Sequence, residues 1–253
     1  MGRLDGKVIV VTGAGAGFGR GIVKKLTAEG AKVIAVDIHQ ANVEETASAA
    51  PQGSCVAHAN DVTLESSWRD ILEASLKNFG KIDVVVNCAG VVHIAAPSTE
   101  VPEDQFDLMF KVNVKPIYLS TKVIVPYWKE QKLAGSFINM SSISEPRPRP
   151  FVVWYAASKG AVTVATRGLA AEYAADNIRY NCIRPAVGET AMLAKVVGGT
   201  DSPEARKKIL GTIPLGRVCQ PEDVANMVTF LASDEANYLT GGAYNVDGGR
   251  DVS

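Results

Sequence analysis

Two rhythms of apolar and polar positions alternate along this chain. Short apolar runs at 7–12, 32–37, 54–59, 82–87, 136–141, 178–183 and 243–246 have the length and β-branched content of strands. Between them, 19–29, 41–50, 63–79, 102–132, 153–175 and 221–232 carry apolar residues at helical spacing. In the first of these Ile22, Val23 and Leu26 share one face, and Gly30 stops the helix. Pro51 and Gly80 stop two more. Thr63 is the expected N-cap of 63–79, and Pro116 and Pro126 are expected to bend 102–132. Pro221, preceded by Gln220, opens the last helix. Strands apolar on both faces and separated by helices require a sheet covered on both sides. The pattern therefore predicts an α/β fold: one doubly wound, Rossmann-like parallel sheet of about seven strands with helices on both faces. No linker-like stretch or internal repeat divides it, so residues 1–253 are expected to form a single domain.

Composition narrows the function. With 26 Lys+Arg against 27 Asp+Glu the net charge is −1, which offers nothing to nucleic acid or an anionic membrane surface. No apolar run approaches the ~18 residues of a membrane span. Residues 1–7 carry a charge at every second position and no apolar core, so no secretory signal is expected. Cys55, Cys88, Cys182 and Cys219 are scattered, as are His39, His58 and His93. The expectation is free thiols in a reducing cytoplasm, and no metal.

The first strand runs into Thr12-Gly13-Ala14-Gly15-Ala16-Gly17-Phe18-Gly19 and then a helix. Glycines at such a turn let the backbone approach a diphosphate, and the helix N-terminus supplies N–H groups and the positive dipole end. The spacing is T-G-x-x-x-G-x-G rather than G-x-G-x-x-G. Asp37 ends the second strand, where a carboxylate accepts adenosine ribose hydroxyls and repels a 2′-phosphate. Ala14 and Ala16 stand where a basic residue would welcome that phosphate, and His39 is mostly neutral. The expected cofactor is NAD.

Tyr155 and Lys159 lie four apart on one helix face, and Ser142 stands at the end of the fifth strand. A tyrosine needs its pKa moved from near 10 to near 7, about 4 kcal/mol, to act as a base. Lys159 and a positive nicotinamide would do this together. Ser142 would orient the substrate oxygen, and Lys159 would also hold the nicotinamide ribose.

With these motifs the chain resembles the short-chain dehydrogenases/reductases, in their compact single-domain branch. The likeness extends over Asp61-Val62, Asn87-Cys88-Ala89-Gly90, Asn113, Ser141-Ser142, Tyr155-Ala156-Ala157-Ser158-Lys159, Asn181 with Pro185, and 238–241 running into 246–249. The resemblance implies interconversion of a small-molecule secondary alcohol and a ketone. Asn113, Ser142, Tyr155 and Lys159 would be catalytic, and Asn113 would hold a water in a proton relay from Lys159. Asp61 and Val62 would flank adenine, Asn87 would support the central strand, and Thr190 would contact the nicotinamide amide. Phe18, Ala89, Gly90, Pro185 and Val187 would complete the cofactor site. Ala186 replaces the family's usual glycine, which appears instead at Gly188. Cys88 replaces a common Asn and Phe18 a common Ile, neither of them a residue of the chemistry. Paired helices across a two-fold axis imply a homotetramer, with a dimer next. Ile117, Val123, Ile124, Val162, Val164 and Leu169 supply apolar faces to the helices concerned.

Residues 144–154 and 187–211 are expected to shape the substrate pocket, with Ser144, Arg149, Trp154, Glu189 and Met192 as candidate contacts. Glu145-Pro146-Arg147-Pro148-Arg149-Pro150 reads first as a solvated or interface loop, and second as an arginine aimed at an anionic substrate group. Glu189 would oppose the second reading. Against the enzyme stands a cofactor-binding sensor or scaffold of the same fold. The extended epimerase branch is disfavoured, since it prefers T-G-x-x-G-x-x-G and needs about 100 more residues.

Overall fold

The computed structural model describes residues 2–190, 192–196 and 202–253. Parts of the expected pocket segment, residue 191 and residues 197–201, lie outside them. The chain forms one parallel sheet: β1 (Val8–Thr12), β2 (Lys32–Asp37), β3 (Cys55–Ala59), β4 (Val84–Asn87), β5 (Gly135–Met140), β6 (Ile178–Pro185) and β7 (Ala243–Val246). Their spatial order is β3-β2-β1-β4-β5-β6-β7. The order reverses between β1 and β4, so a crevice opens there at the carboxyl edge, where such sheets bind ligands.

Strand alternation sorts the core into two layers. Ile9, Val11, Val33, Ala35, Val84, Val86, Ile138 and Ile183 face α1 (Gly17–Ala28), α2 (Gln40–Ser48) and α9 (Pro221–Ala232). Val10, Ile34, Val36, Val85, Phe137 and Tyr180 face α3 (Glu65–Phe79), α5 (Lys115–Glu130) and α6 (Val153–Tyr173). Both faces are thus covered, as the doubly apolar strands require.

Three sequence expectations need correction. The helix expected over 102–132 is two, α4 (Glu103–Asn113) and α5, broken at Val114. Pro116 lacks an N–H and crowds the carbonyl four residues back, so the chain restarts there rather than bending. Pro126 is accommodated inside α5. Thr63 does not cap α3: its main-chain N–H is taken by the Asp61 carboxylate at 2.9 Å, and the helix begins two residues later. Its hydroxyl is left buried and unpartnered. Finally, α7 (Met192–Val196) and α8 (Pro203–Leu210) occupy a stretch expected only as pocket lining.

Among the described residues no helix is long and apolar enough to cross a membrane, and no His/Cys/Asp/Glu group could hold a metal ion. All four cysteines are free.

Candidate active site

The glycine loop closes on itself and on the neighbouring strand end. Gly13 has φ +66° and lies so near Ala89 that an added Cβ would come within 2.9 Å of its Cα. At Gly19 a Cβ would sit 2.0 Å from the Gly13 carbonyl oxygen. Only glycine permits either approach. The Thr12 hydroxyl ties the two strand ends together, accepting the N–H groups of Cys88 and Ala89 at 3.0 and 3.1 Å. Helix α1 then starts behind Ala16 with no side-chain cap and no acid in its first turn. That leaves an uncapped, positive helix end facing the crevice, as a diphosphate requires.

Asp37 stands at the rim of this cradle. Its two oxygens accept the N–H groups of Gly15 (2.9 Å) and His39 (3.0 Å), one each, leaving lone pairs for hydroxyls. Gly15 passes so close that a Cβ there would meet the carboxylate at 2.9 Å. A cation the sequence did not put forward is near. Arg20 folds back onto the Gly15 carbonyl at 2.7 Å, but Glu45 holds it in an ion pair, also at 2.7 Å. The residues present therefore fit a dinucleotide whose adenosine ribose is unphosphorylated.

Ser142, Tyr155 and Lys159 converge at the ends of β5 and α6. Ser142 is buried, accepts the Ser144 N–H at 3.1 Å, and lines the same pocket as Tyr155. Burial raises the Tyr155 pKa, while the Ser142 hydroxyl and the Arg149 charge pull it down. Arg149 is thus a second cation acting on Tyr155, beside the Lys159 to which the sequence pointed. Lys159 is itself buried; its Nζ donates to the Met140 carbonyl at 2.8 Å and lies 5.8 Å from the Tyr155 ring centre. Burial brings its pKa down to about 8. Cys88, beneath, has its thiol pushed up to about 12 by burial and behaves as packing.

Asn113 ends α4 with its side chain fully engaged. Its Oδ1 accepts the Val91 N–H at 2.8 Å, and its Nδ2 donates to the Val91 carbonyl and the Ser158 hydroxyl, both at 3.0 Å. Asn87 points into the sheet, donating to Asn139 (2.9 Å) and Ser120 (3.1 Å), while Asn139 donates to Thr166 on α6 (2.9 Å). This chain of amides spaces β4, β5 and α6.

The pocket above Tyr155 is lined by Phe18, Ser142, Ser144, Arg149, Val187, Thr190, Met192 and Arg250. Three of the five candidate substrate residues are therefore present: Ser144, Arg149 and Met192. Trp154 is not among the lining residues: its indole donates to the Ser98 carbonyl at 2.9 Å and packs edge-on against Phe106. Nor is Glu189, which forms an ion pair with Arg206 at 2.7 Å. Phe18 does reach the pocket, and its ring occupies the space above Gly188, where a Cβ would lie 2.2 Å from the ring tip. The large residue at 18 and the glycine at 188 are thus one steric pair, which explains two departures from the family pattern together.

Arg250 was not foreseen. It reaches the pocket from beyond the last strand, and no local signal marks it. A positive residue after the Gly248-Gly249 turn was the only available hint.

Known proteins resemble this chain over nearly its whole length. The family model described as enoyl-(acyl carrier protein) reductase matches residues 13–251. A 4-formylbenzenesulfonate dehydrogenase of Comamonas testosteroni is 39% identical, over 99% of this chain and 100% of its own length. A 3-oxoacyl-(acyl-carrier-protein) reductase of Thermotoga maritima is 38% identical over 98% of each. The crystal structure of a 3-ketoacyl-(acyl-carrier-protein) reductase from Brucella melitensis complexed with NADH superposes with a TM-score of 0.91 at 37% identity, covering 98% of this chain and 99% of that one. The chain belongs to the short-chain dehydrogenases/reductases.

Proposed function

We propose that this chain is an NAD-dependent oxidoreductase that interconverts a secondary alcohol and a ketone on a small molecule, with Tyr155 as general acid/base. The observation that carries the reading is the convergence of Ser142 and Tyr155 on one pocket, beside an uncapped helix N-terminus and next to a buried lysine. Bound nicotinamide dinucleotide supplies the hydride acceptor in oxidation and the donor in reduction. Tyr155 takes the hydroxyl proton as the alcohol is oxidised, and Ser142 donates to the oxygen that becomes the carbonyl. Lys159 holds a proton near neutral pH and lies against the Tyr155 ring, where it favours the phenolate. Both Nδ2 protons of Asn113 are taken, so Asn113 can hold a relay water only as an acceptor.

NAD is preferred to NADP because Asp37 stands at the ribose end and Arg20, the adjacent cation, is engaged by Glu45. A neighbour of this fold is complexed with NADH, and the relatives are a 4-formylbenzenesulfonate dehydrogenase and a 3-oxoacyl-(acyl-carrier-protein) reductase. Their range leaves substrate choice to residues of this chain's own pocket. A cytoplasmic location suits its free thiols, and a homotetramer, or failing that a dimer, is the expected assembly. Reduction of NAD⁺ by a panel of secondary alcohols is the test. Turnover of one or more supports the enzyme, while NAD binding with no turnover across the panel favours a sensor or scaffold.

A further inference from the structure

The loop 145–150 reverses the usual order of a surface segment. Its prolines, Pro146, Pro148 and Pro150, are exposed, and its charged residues are half-buried. Each charge has a separate place. Glu145 pairs with Arg184 of β6 at 2.6 Å. Arg147 donates to the Ser253 hydroxyl at 2.9 Å and to the Arg250 carbonyl, and so pins the segment carrying Arg250. Arg149 turns into the pocket that holds Ser142 and Tyr155.

Arg250 meets it there. Only 9% of Arg250 is exposed, and its guanidinium donates to the Thr212 hydroxyl. Among the described residues no carboxylate forms an ion pair with it. Asp247 acts on it at longer range, without an ion pair, while its oxygens accept the N–H groups of Gly249 (3.1 Å) and Asp251 (2.8 Å). Burial disfavours both charges; the Arg250 charge adds to this at Arg149, and the Arg147 charge adds to it at Arg250. Two guanidiniums lining one half-dry pocket are costly for a protein that binds only neutral alcohols. An anion between them would reverse the sign of that cost, because guanidinium forks match planar or tetrahedral oxyanions.

We propose that Arg149 and Arg250 form a substrate subsite for an anionic group, a carboxylate or sulfonate, carried on the same molecule as the reacting hydroxyl or carbonyl. The subsite rests on the dehydrogenase reading of the Tyr155 pocket and gives it a substrate class: small hydroxy acids and hydroxy sulfonates, or the corresponding oxo acids. Arg149 plays two parts, since its charge also favours the Tyr155 phenolate. Loop 145–150 and the segment after β7 thus become specificity elements, with Arg147 as the clip between them.

The test is a panel of aliphatic and aryl hydroxy carboxylates and sulfonates, each paired with its uncharged amide or sulfonamide and assayed with NAD⁺. For at least one pair the anion should have a kcat/KM at least ~10-fold above its neutral partner, the scale of a lost hydrogen bond to a charge. Arg250→Gln should erase most of that ratio, mainly through KM of the anion, and Arg149→Gln should shrink it as well. The ratio cancels any common effect on folding or on Tyr155. Equal rates for every pair, or an equal loss on both partners in Arg250→Gln, would overturn the subsite. Failure of the underlying reading looks different: no alcohol is turned over, or Tyr155→Phe is as active as the parent. Calorimetric titration of NADH-loaded protein then still decides. Benzoate or benzenesulfonate binding ~10-fold tighter than benzamide or benzenesulfonamide, with the difference lost in Arg250→Gln, supports the subsite; equal binding or none overturns it.

Discussion

Asp37 and Lys159 show how single side chains carry the account. Asp37 offers each oxygen to one backbone N–H and keeps its remaining lone pairs toward the crevice. A charged acceptor of this kind contributes about 1.5–3 kcal/mol, or roughly 10- to 150-fold in affinity. Asp37→Ala should therefore weaken NAD⁺ and narrow its advantage over NADP⁺ by at least ~10-fold in parallel titrations. Equal affinity of the unaltered protein for both cofactors would contradict the assignment. Lys159 pays for its position with stability. Its pKa stands at about 8 when folded, below the ordinary lysine value near 10.4, so the folded state holds its proton less well. The resulting penalty is fully present below about pH 8 and fades as pH rises toward about 10.4, so stability gains with pH in that window. Lys159→Met should stabilise the chain without cofactor by roughly 1–3 kcal/mol at pH 7, after loss of the Met140 hydrogen bond is allowed for. In urea unfolding the gap between variant and parent should close between about pH 8 and 10. A constant gap would show that Lys159 does not carry a depressed pKa.

Among the elements, α9 bears on the site from a distance. Its first residue packs on α1 so tightly that a Cβ at Gly21 would lie 2.5 Å from Pro221. Asp223 fastens this end, accepting the Gln220 N–H at 2.8 Å and holding Arg217 through both oxygens at 2.6 and 2.8 Å. Asp223→Ala should lower stability by about 1–2 kcal/mol, the worth of a lost helix-terminal acceptor, with a matching drop in Tm. An unchanged Tm would show that α9 needs no such anchor. The strands were legible because burial on both faces writes a continuous apolar run, as at Val8–Val11 and Val84–Val86. The candidate catalytic residues were legible because they stand at fixed spacings on such elements. Three features were harder to read. The break at Val114 depends on which carbonyl Pro116 crowds. α8 is mostly polar, and only Pro203, Glu204 and the closing Lys207 and Lys208 mark it as a helix. Arg250 reaches Tyr155's pocket through the path of the whole chain, which no local pattern encodes.

At the scale of the molecule, assembly and catalysis are the open claims. Of the six apolar residues that suggested paired helices, Ile117, Val123, Ile124 and Val162 are buried; Val123 and Ile124 lie in the core layer on the α5 and α6 face of the sheet, and Leu169 packs there too. Val164 alone stands out, 71% exposed on α6, with Tyr118 60% exposed on α5. A tetramer, or a dimer, should still appear as the mass in solution at micromolar concentration, and Val164→Arg should reduce it. A monomer in the unaltered protein would contradict the expectation. The central claim is that Tyr155 transfers the proton while the cofactor exchanges hydride. Its direct test is single-turnover oxidation by Tyr155→Phe, using an alcohol the parent oxidises and a variant shown by titration to bind NAD⁺ normally. The account predicts a rate at least ~10²-fold below the parent, the usual worth of a general base, with cofactor affinity retained. A rate close to the parent's, with NAD⁺ bound, would contradict it.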